Sequence, residues 1–130
     1  MPPRGIDPFT FHHPTKIIFG RGSIGKLGDE AAKLGKRCLL VSGRTFAKRS
    51  GYLEAIESNL SAAGLEAVVF SEVEPNPSIK TLYAGAAACK GNGCDVVVAF
   101  GGGSAIDAAK GIAFLASGDV KLEESFAPNE

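Results

Sequence analysis

Asp95-Val-Val-Val-Ala-Phe-Gly-Gly-Gly-Ser-Ala-Ile-Asp-Ala-Ala-Lys110 is the stretch from which the fold can be read. Val96 to Phe100 is an unbroken apolar run, too short for a typical helix and rich in β-branched residues. Such a run suits a strand buried on both faces, as in a parallel sheet. Three glycines follow, and Ser104 then opens a segment rich in Ala that reads as a helix. Strand, glycine turn and helix start in that order make an anion site. The first N–H groups of the helix lack internal partners, its dipole favours negative charge, and residues without Cβ let a phosphate come close. A tight, closely packed turn also accounts for three glycines taken alone; their place between a buried strand and a helix favours the phosphate.

Outward from this unit the same alternation repeats. Ser78 is a good N-cap for a helix from Ile79 to about Lys90, which Gly91-Asn-Gly93 ends, and Pro75-Asn-Pro77 makes a rigid loop before it. Leu65 to Phe70 reads as a strand. Leu53, Ile56, Leu60 and Ala63 recur at helical spacing, so Gly51 to Ala63 reads as an amphipathic helix closed by Gly64. Cys38 to Val41 repeats the buried-strand pattern, with Ser42-Gly43-Arg44-Thr45 as the turn after it. Before that, a helix capped by Gly22 or Ser23 runs to about Ala32 and ends at Gly35. Thr15 to Gly20 reads as a further strand, and Phe9 to His13 as a short extended segment stopped by Pro14. Residues 1–8, with Pro2, Pro3, Gly5 and Pro8, read as an irregular tail, and the chain beyond Gly118 as a polar segment. The order β-α-β-α-β-α-β-α calls for right-handed crossovers. The expected class is α/β, a Rossmann-like parallel sheet with helices on both faces.

Composition narrows the function. Lys plus Arg equals Asp plus Glu at 14 each, which argues against a nucleic-acid surface or a basic membrane-binding face. No apolar stretch approaches the length of a membrane span, and no apolar signal segment follows Met1, so the expected location is the cytoplasm. Cys38, Cys89 and Cys94 are odd in number and fit neither a disulfide framework nor a zinc pattern. His12 and His13 are adjacent, would point to opposite faces of a strand, and have no acid or thiol beside them. No metal site is expected in this chain.

In a fold of this kind ligands bind beyond the carboxyl ends of the strands. Three loops occupy that edge: Ser42 to Lys48, Glu74 to Ser78, and Gly101 to Ser104. NAD-preferring sites often place an acid at a strand end to hold the adenine-ribose hydroxyls. The turn Val41-Ser-Gly-Arg-Thr45 has none, and Lys48 follows it. Repulsion against a ribose phosphate is thereby absent, and Arg44 or Lys48 could attract one; a solvated basic loop is the plainer account of the same residues. Ser104 and Asp107 match the spacing of a capping box, with Asp in place of Glu or Gln. Asp107 is therefore either a cap or, turned away from the phosphates, a partner for a ribose hydroxyl or the reacting end of the ligand. Lys110, three residues on, can pair with it.

From Phe11 to about Ser117 the chain resembles the N-terminal domain of the iron-containing (group III) alcohol dehydrogenases, which share their architecture with glycerol dehydrogenase and dehydroquinate synthase. The resemblance rests on Pro14-Thr-Lys-Ile-Ile-Phe-Gly-Arg-Gly22, Val41-Ser-Gly43, Pro75-Asn-Pro77 and Gly101-Gly-Gly-Ser-Ala-Ile-Asp-Ala-Ala-Lys110, the last a complete GGGSxxDxxK motif. It implies a dinucleotide-binding domain over residues 9–117 and the beginning of an interdomain segment at 118–130. It implies that Gly102, Gly103 and Ser104 hold the diphosphate and that Asn76 and Asp107 lie near the nicotinamide half. Many members carry Asp where this chain has Gly43, an acid associated with NAD preference, so the departure points to NADP, with NAD as the alternative. With the turn after the second buried strand, the candidate cofactor-binding set is Gly43, Arg44, Thr45, Lys48, Asn76, Gly101, Gly102, Gly103, Ser104 and Asp107.

Members of the family are far longer. A helical second domain supplies an Asp and three His to a divalent metal, iron or zinc, that polarises the substrate alcohol. The resemblance therefore implies hydride transfer between a small alcohol or aldehyde and NAD(P) in the full-length context. It also implies a fragment, an excised domain or a truncated gene product here, with no catalytic residue of its own. An uncovered docking face would favour aggregation or a homodimer. Two alternatives stand beside this: the cofactor domain of a related polyol dehydrogenase, and a stand-alone, non-catalytic α/β binding module.

Overall fold

β1 (Arg37–Gly43) is the middle strand of a three-stranded parallel sheet of order β2-β1-β3, where β2 is Glu66–Val73 and β3 is Val96–Phe100. The computed structural model describes residue 5 and residues 8–118. Most of the expected N-terminal tail, 1–8, and of the segment 118–130 therefore lies outside the described residues. The α/β class holds, with helices on both faces.

Strand periodicity explains how one central strand builds two cores. Cys38 and Leu40 face Leu53, Ile56 and Leu60 of α3 (Tyr52–Ala62) and Ala31 of α1 (Leu27–Ala32). Leu39 and Val41 face Phe70 and Val73 of β2, Cys89 of α4 (Ile79–Gly91), and Ala108, Ala109 and Ile112 of α5 (Gly103–Ala116). Leu39, Leu40, Leu60 and Ile112 are fully buried. Each such side chain contributes roughly 1.5–3 kcal/mol relative to exposure. The spacing of Ala105, Ala108, Ala109, Ile112 and Leu115 puts the small side of α5 on the sheet. α4 and α5 then meet through glycine: a Cβ on Gly85 would collide with the Ile112 side chain, and one on Gly111 would sit 2.8 Å from Leu82 Cδ1.

Polar ties set the angles at the amino edge. The Asp95 carboxylate accepts the backbone N–H groups of Lys36 and Arg37, each at 2.9 Å, and so joins the entries of β1 and β3. These donors, Arg37 foremost, hold its pKa below its ordinary value. Asn59 on α3 accepts from Gly28 N–H at 2.7 Å and donates to the Gly25 carbonyl at 3.1 Å, which fastens α3 to the start of α1.

Three expectations are altered. Thr15 to Gly20 forms no strand, and Phe9 to His13 is likewise without regular structure. A strand is completed only by a hydrogen-bonding neighbour, and the described sheet provides none for this segment. Lys16 instead pairs with Glu30 of α1 at 2.7 Å, and Ile18 lines a hollow beside β3. The first helix begins as a 3-10 turn, Ser23–Lys26, with Gly22 at φ 74 as its N-cap, and becomes α-helical only from Leu27. Finally, the loop after β1 contains a single helical turn, α2 (Phe46–Arg49).

Candidate functional site

The paths of the chain after β1 and β3 create the site. β1 leads to α3 on the Leu40 face of the sheet, whereas β3 leads to α5 on the Leu39 face. The two strands are neighbours, so their exits diverge and leave a crevice at the carboxyl edge, where α/β sheets bind ligands. That crevice is a cleft of about 500 Å³, lined by residues 43–45, 73–75 and 100–105. All three loops singled out from the sequence contribute to it.

On the β3 side, Gly101 has φ 142, a conformation that favours glycine, and it turns the chain from strand to helix at once. Gly102 is the N-cap in extended backbone, and Ile106 N–H makes the first helical bond, to the Gly102 carbonyl at 3.1 Å. The N–H groups of Gly103, Ser104 and Ala105 therefore precede the helical ladder and carry the positive end of the α5 dipole. A Cβ added to Gly102 or Gly103 would meet nothing within 4 Å, and neither residue has positive φ. Nothing in the fold requires those two positions to be glycine. What their lack of side chains provides is bare backbone facing the cleft.

Ser104 is not the helix cap that the sequence suggested. The turn at Gly101 starts the helix at Gly103, so Ser104 lies inside the first turn, and its Oγ accepts the Asn76 N–H at 3.4 Å. Asn76, a non-glycine residue at φ 52, is thus joined to the glycine turn. Asp107 makes no capping bond; it is exposed and lies 3.6 Å from Lys110 Nζ, the pairing its spacing allowed. It falls outside the cleft lining, as does Lys48 on α2.

On the β1 side, Gly43, Arg44 and Thr45 line the cleft. A Cβ at Gly43 would lie 3.8 Å from the Val73 carbonyl oxygen, an ordinary contact, so the position has room for a side chain. Arg44 Nε donates to the Glu72 carbonyl at 3.3 Å, and its guanidinium lies 3.9 Å from the Glu74 carboxylate. Glu74 is itself fixed: it accepts from Ser78 N–H and from Thr81 Oγ1, both at 2.7 Å. These bonds, the Ser78 N–H first among them, push its pKa down to about 2. Ser78 accepts the Thr81 N–H at 3.3 Å and caps α4, as its place after Pro77 predicts.

Sequence reasoning named the loop that holds Glu74 but not the residue. The parallel register contains the signal that was missing. Val41 pairs with Phe70 while Gly43 pairs with Val73, so β2 carries one extra residue there and brings Glu74 level with Arg44. Phe100 ends the apolar run of β3 and also lines the cleft, with its ring 5.8 Å from that of Tyr52. Among the described residues no group of three or more His, Cys, Asp or Glu could hold a metal ion.

Comparison with known proteins points one way. The family model for iron-containing alcohol dehydrogenase matches residues 14–129. A probable NADH-dependent butanol dehydrogenase of Bacillus subtilis is 44% identical over 105 residues, which are 81% of this chain and 27% of that protein. An NADPH-dependent butanol dehydrogenase of Clostridium saccharobutylicum is 38% identical over 77% of this chain and 25% of its own length. Among solved structures, an archaeal halo-thermophilic alcohol dehydrogenase from a Red Sea brine pool superposes with a TM-score of 0.81 at 44% identity, covering 84% of this chain and 27% of that one. The chain spans about a quarter of the length of the curated relatives it matches.

Proposed function

The chain belongs to the iron-containing alcohol dehydrogenase family, and from that premise we propose that residues 9–117 form the dinucleotide-binding part of such an enzyme. The observation that carries the reading is the pair of glycines, Gly102 and Gly103, that the fold does not need and that expose the α5 N-terminus to the cleft. A diphosphate seated there would accept hydrogen bonds from the first N–H groups of α5 and from the Ser104 hydroxyl. Gly101 and Asn76 shape the turn that presents them. The adenine-ribose end would lie along Gly43, Arg44 and Thr45, where no carboxylate stands on β1 and Arg44 can meet a ribose phosphate. We therefore assign NADP as the preferred cofactor, with NAD also accepted.

When bound, the nicotinamide ring supplies hydride exchange with a small alcohol or the matching aldehyde. Residues 9–117 orient the dinucleotide, and no metal step is assigned to them. No described helix is long and apolar enough to cross a membrane. Three free thiols, Cys38, Cys89 and Cys94, support a reducing, cytoplasmic setting.

Titration of the chain with NADPH and with NADH, followed by amide chemical shifts, tests the reading. Binding should perturb Gly101 to Ala105. Gly102→Ala should weaken it about tenfold, or ~1.4 kcal/mol, in a chain that still folds. A wild-type chain that binds neither dinucleotide, or a Gly102→Ala chain that binds as well as wild type, would overturn it.

A further inference from the structure

We infer that Glu74 is a positioning residue for cofactor choice: it holds the Arg44 guanidinium at the cleft mouth and restrains its use by a ribose phosphate. The inference rests on the dinucleotide reading above and extends it to a residue in the loop that follows β2. Among the described residues lining the cleft, Arg44 is the one cation and Glu74 the one anion. They lie 3.9 Å apart.

The geometry makes the pair unequal. Glu74 is anchored by Ser78 N–H and Thr81 Oγ1 at 2.7 Å each, so its carboxylate cannot follow the arginine into the cleft. Among the described residues, Arg44 donates to one backbone carbonyl, at 3.3 Å, and its side chain is largely exposed. A phosphate monoester arriving at Gly43 would compete with Glu74 for the guanidinium and would feel the carboxylate's own charge. A ribose hydroxyl would feel neither penalty. Glu74 thus reintroduces, from just beyond the end of β2, part of the discrimination that an acid at position 43 would exert from β1. The extra residue in β2 is what brings it there.

The same interaction predicts a coupling between the two side chains. Glu74→Gln removes the charge, keeps an oxygen for the Ser78 N–H, and frees the guanidinium. The ratio of NADPH to NADH affinity, measured by calorimetric titration of the whole chain, should rise about threefold to fivefold, the scale of an exposed charge contact. Glu74→Asp should fall between. Arg44→Met should lower the ratio by a similar factor, and in that background Glu74→Gln should have a much smaller effect. A purely structural role in capping α4 would change both affinities together and leave their ratio alone.

If Glu74→Gln fails to fold, Glu74→Asp decides, since it keeps a carboxylate for the cap but draws it back from the guanidinium: a raised ratio supports the inference and an unchanged one overturns it. An unchanged ratio in a folded Glu74→Gln chain overturns it as well. A wild-type chain that binds neither dinucleotide overturns this inference and the dinucleotide reading together, whereas binding with an unmoved ratio removes only Glu74.

Discussion

Gly43 and Gly102 show how differently two glycines can matter in one cleft. At Gly102 the missing Cβ leaves backbone bare for a ligand; at Gly43 it leaves a position empty that could carry a charge. The space at Gly43 is sufficient, with the nearest atom to an added Cβ at 3.8 Å. Gly43→Asp should therefore fold normally and shift the balance of affinities from NADPH toward NADH, by about tenfold. Competition titrations with the two cofactors would check it. An unchanged ratio would remove Gly43 from the specificity argument while leaving the diphosphate site untouched. Asp107 illustrates a residue that its neighbours in sequence could not place. Its spacing from Ser104 allowed a cap, but the turn at Gly101 starts the helix early and leaves Asp107 on the surface with Lys110.

Among the elements, α4 packs against α5, the helix that begins at the cleft's β3 side. α5 must sit close enough to the sheet for Ala105, Ala108 and Ala109 to be buried, and α4 must sit close to α5. Glycine makes that approach feasible at Gly85 and Gly111. Gly85→Ala should destabilise the chain by about 2 kcal/mol, the usual cost of overpacking, partly offset by the better helix propensity of alanine. Denaturant unfolding would measure it, and a gain in stability would show that Ile112 can move aside. The β1, β2 and β3 assignments are legible because each contains a short apolar run, brief for a helix and set among turn residues. The same reasoning overreached at Thr15 to Gly20. That stretch has the residues of a strand but no adjacent edge in the described sheet, and Phe19 is almost entirely exposed.

For the molecule taken together, acid should be the sensitive condition. Glu74 and Asp95 both titrate below their ordinary values in the folded chain, Glu74 at about 2 instead of 4.5. A depressed folded pKa means that the unfolded chain binds the proton first. Stability from Glu74 is thus complete above about pH 4.5 and is lost as pH falls toward 2. Asp95 adds to the loss in the same direction. Unfolding free energy measured across that interval should fall with pH, and less steeply in Glu74→Gln. Equal slopes for the two chains would show that the Glu74 bonds do not survive in solution.

The order of elements, the glycine turn and the three loops of the site are written locally, in apolar period, turn residues and caps. So was the family, because its motifs are contiguous runs. Two matters depended on contacts between distant segments. Whether residues 15–20 become a strand depends on a hydrogen-bonding partner, which composition cannot supply. Whether an acid reaches Arg44 depends on the register of β2 against β1, where one extra residue carries Glu74 to the cleft. Local pattern specifies what a segment can be; pairing and register determine which side chains meet.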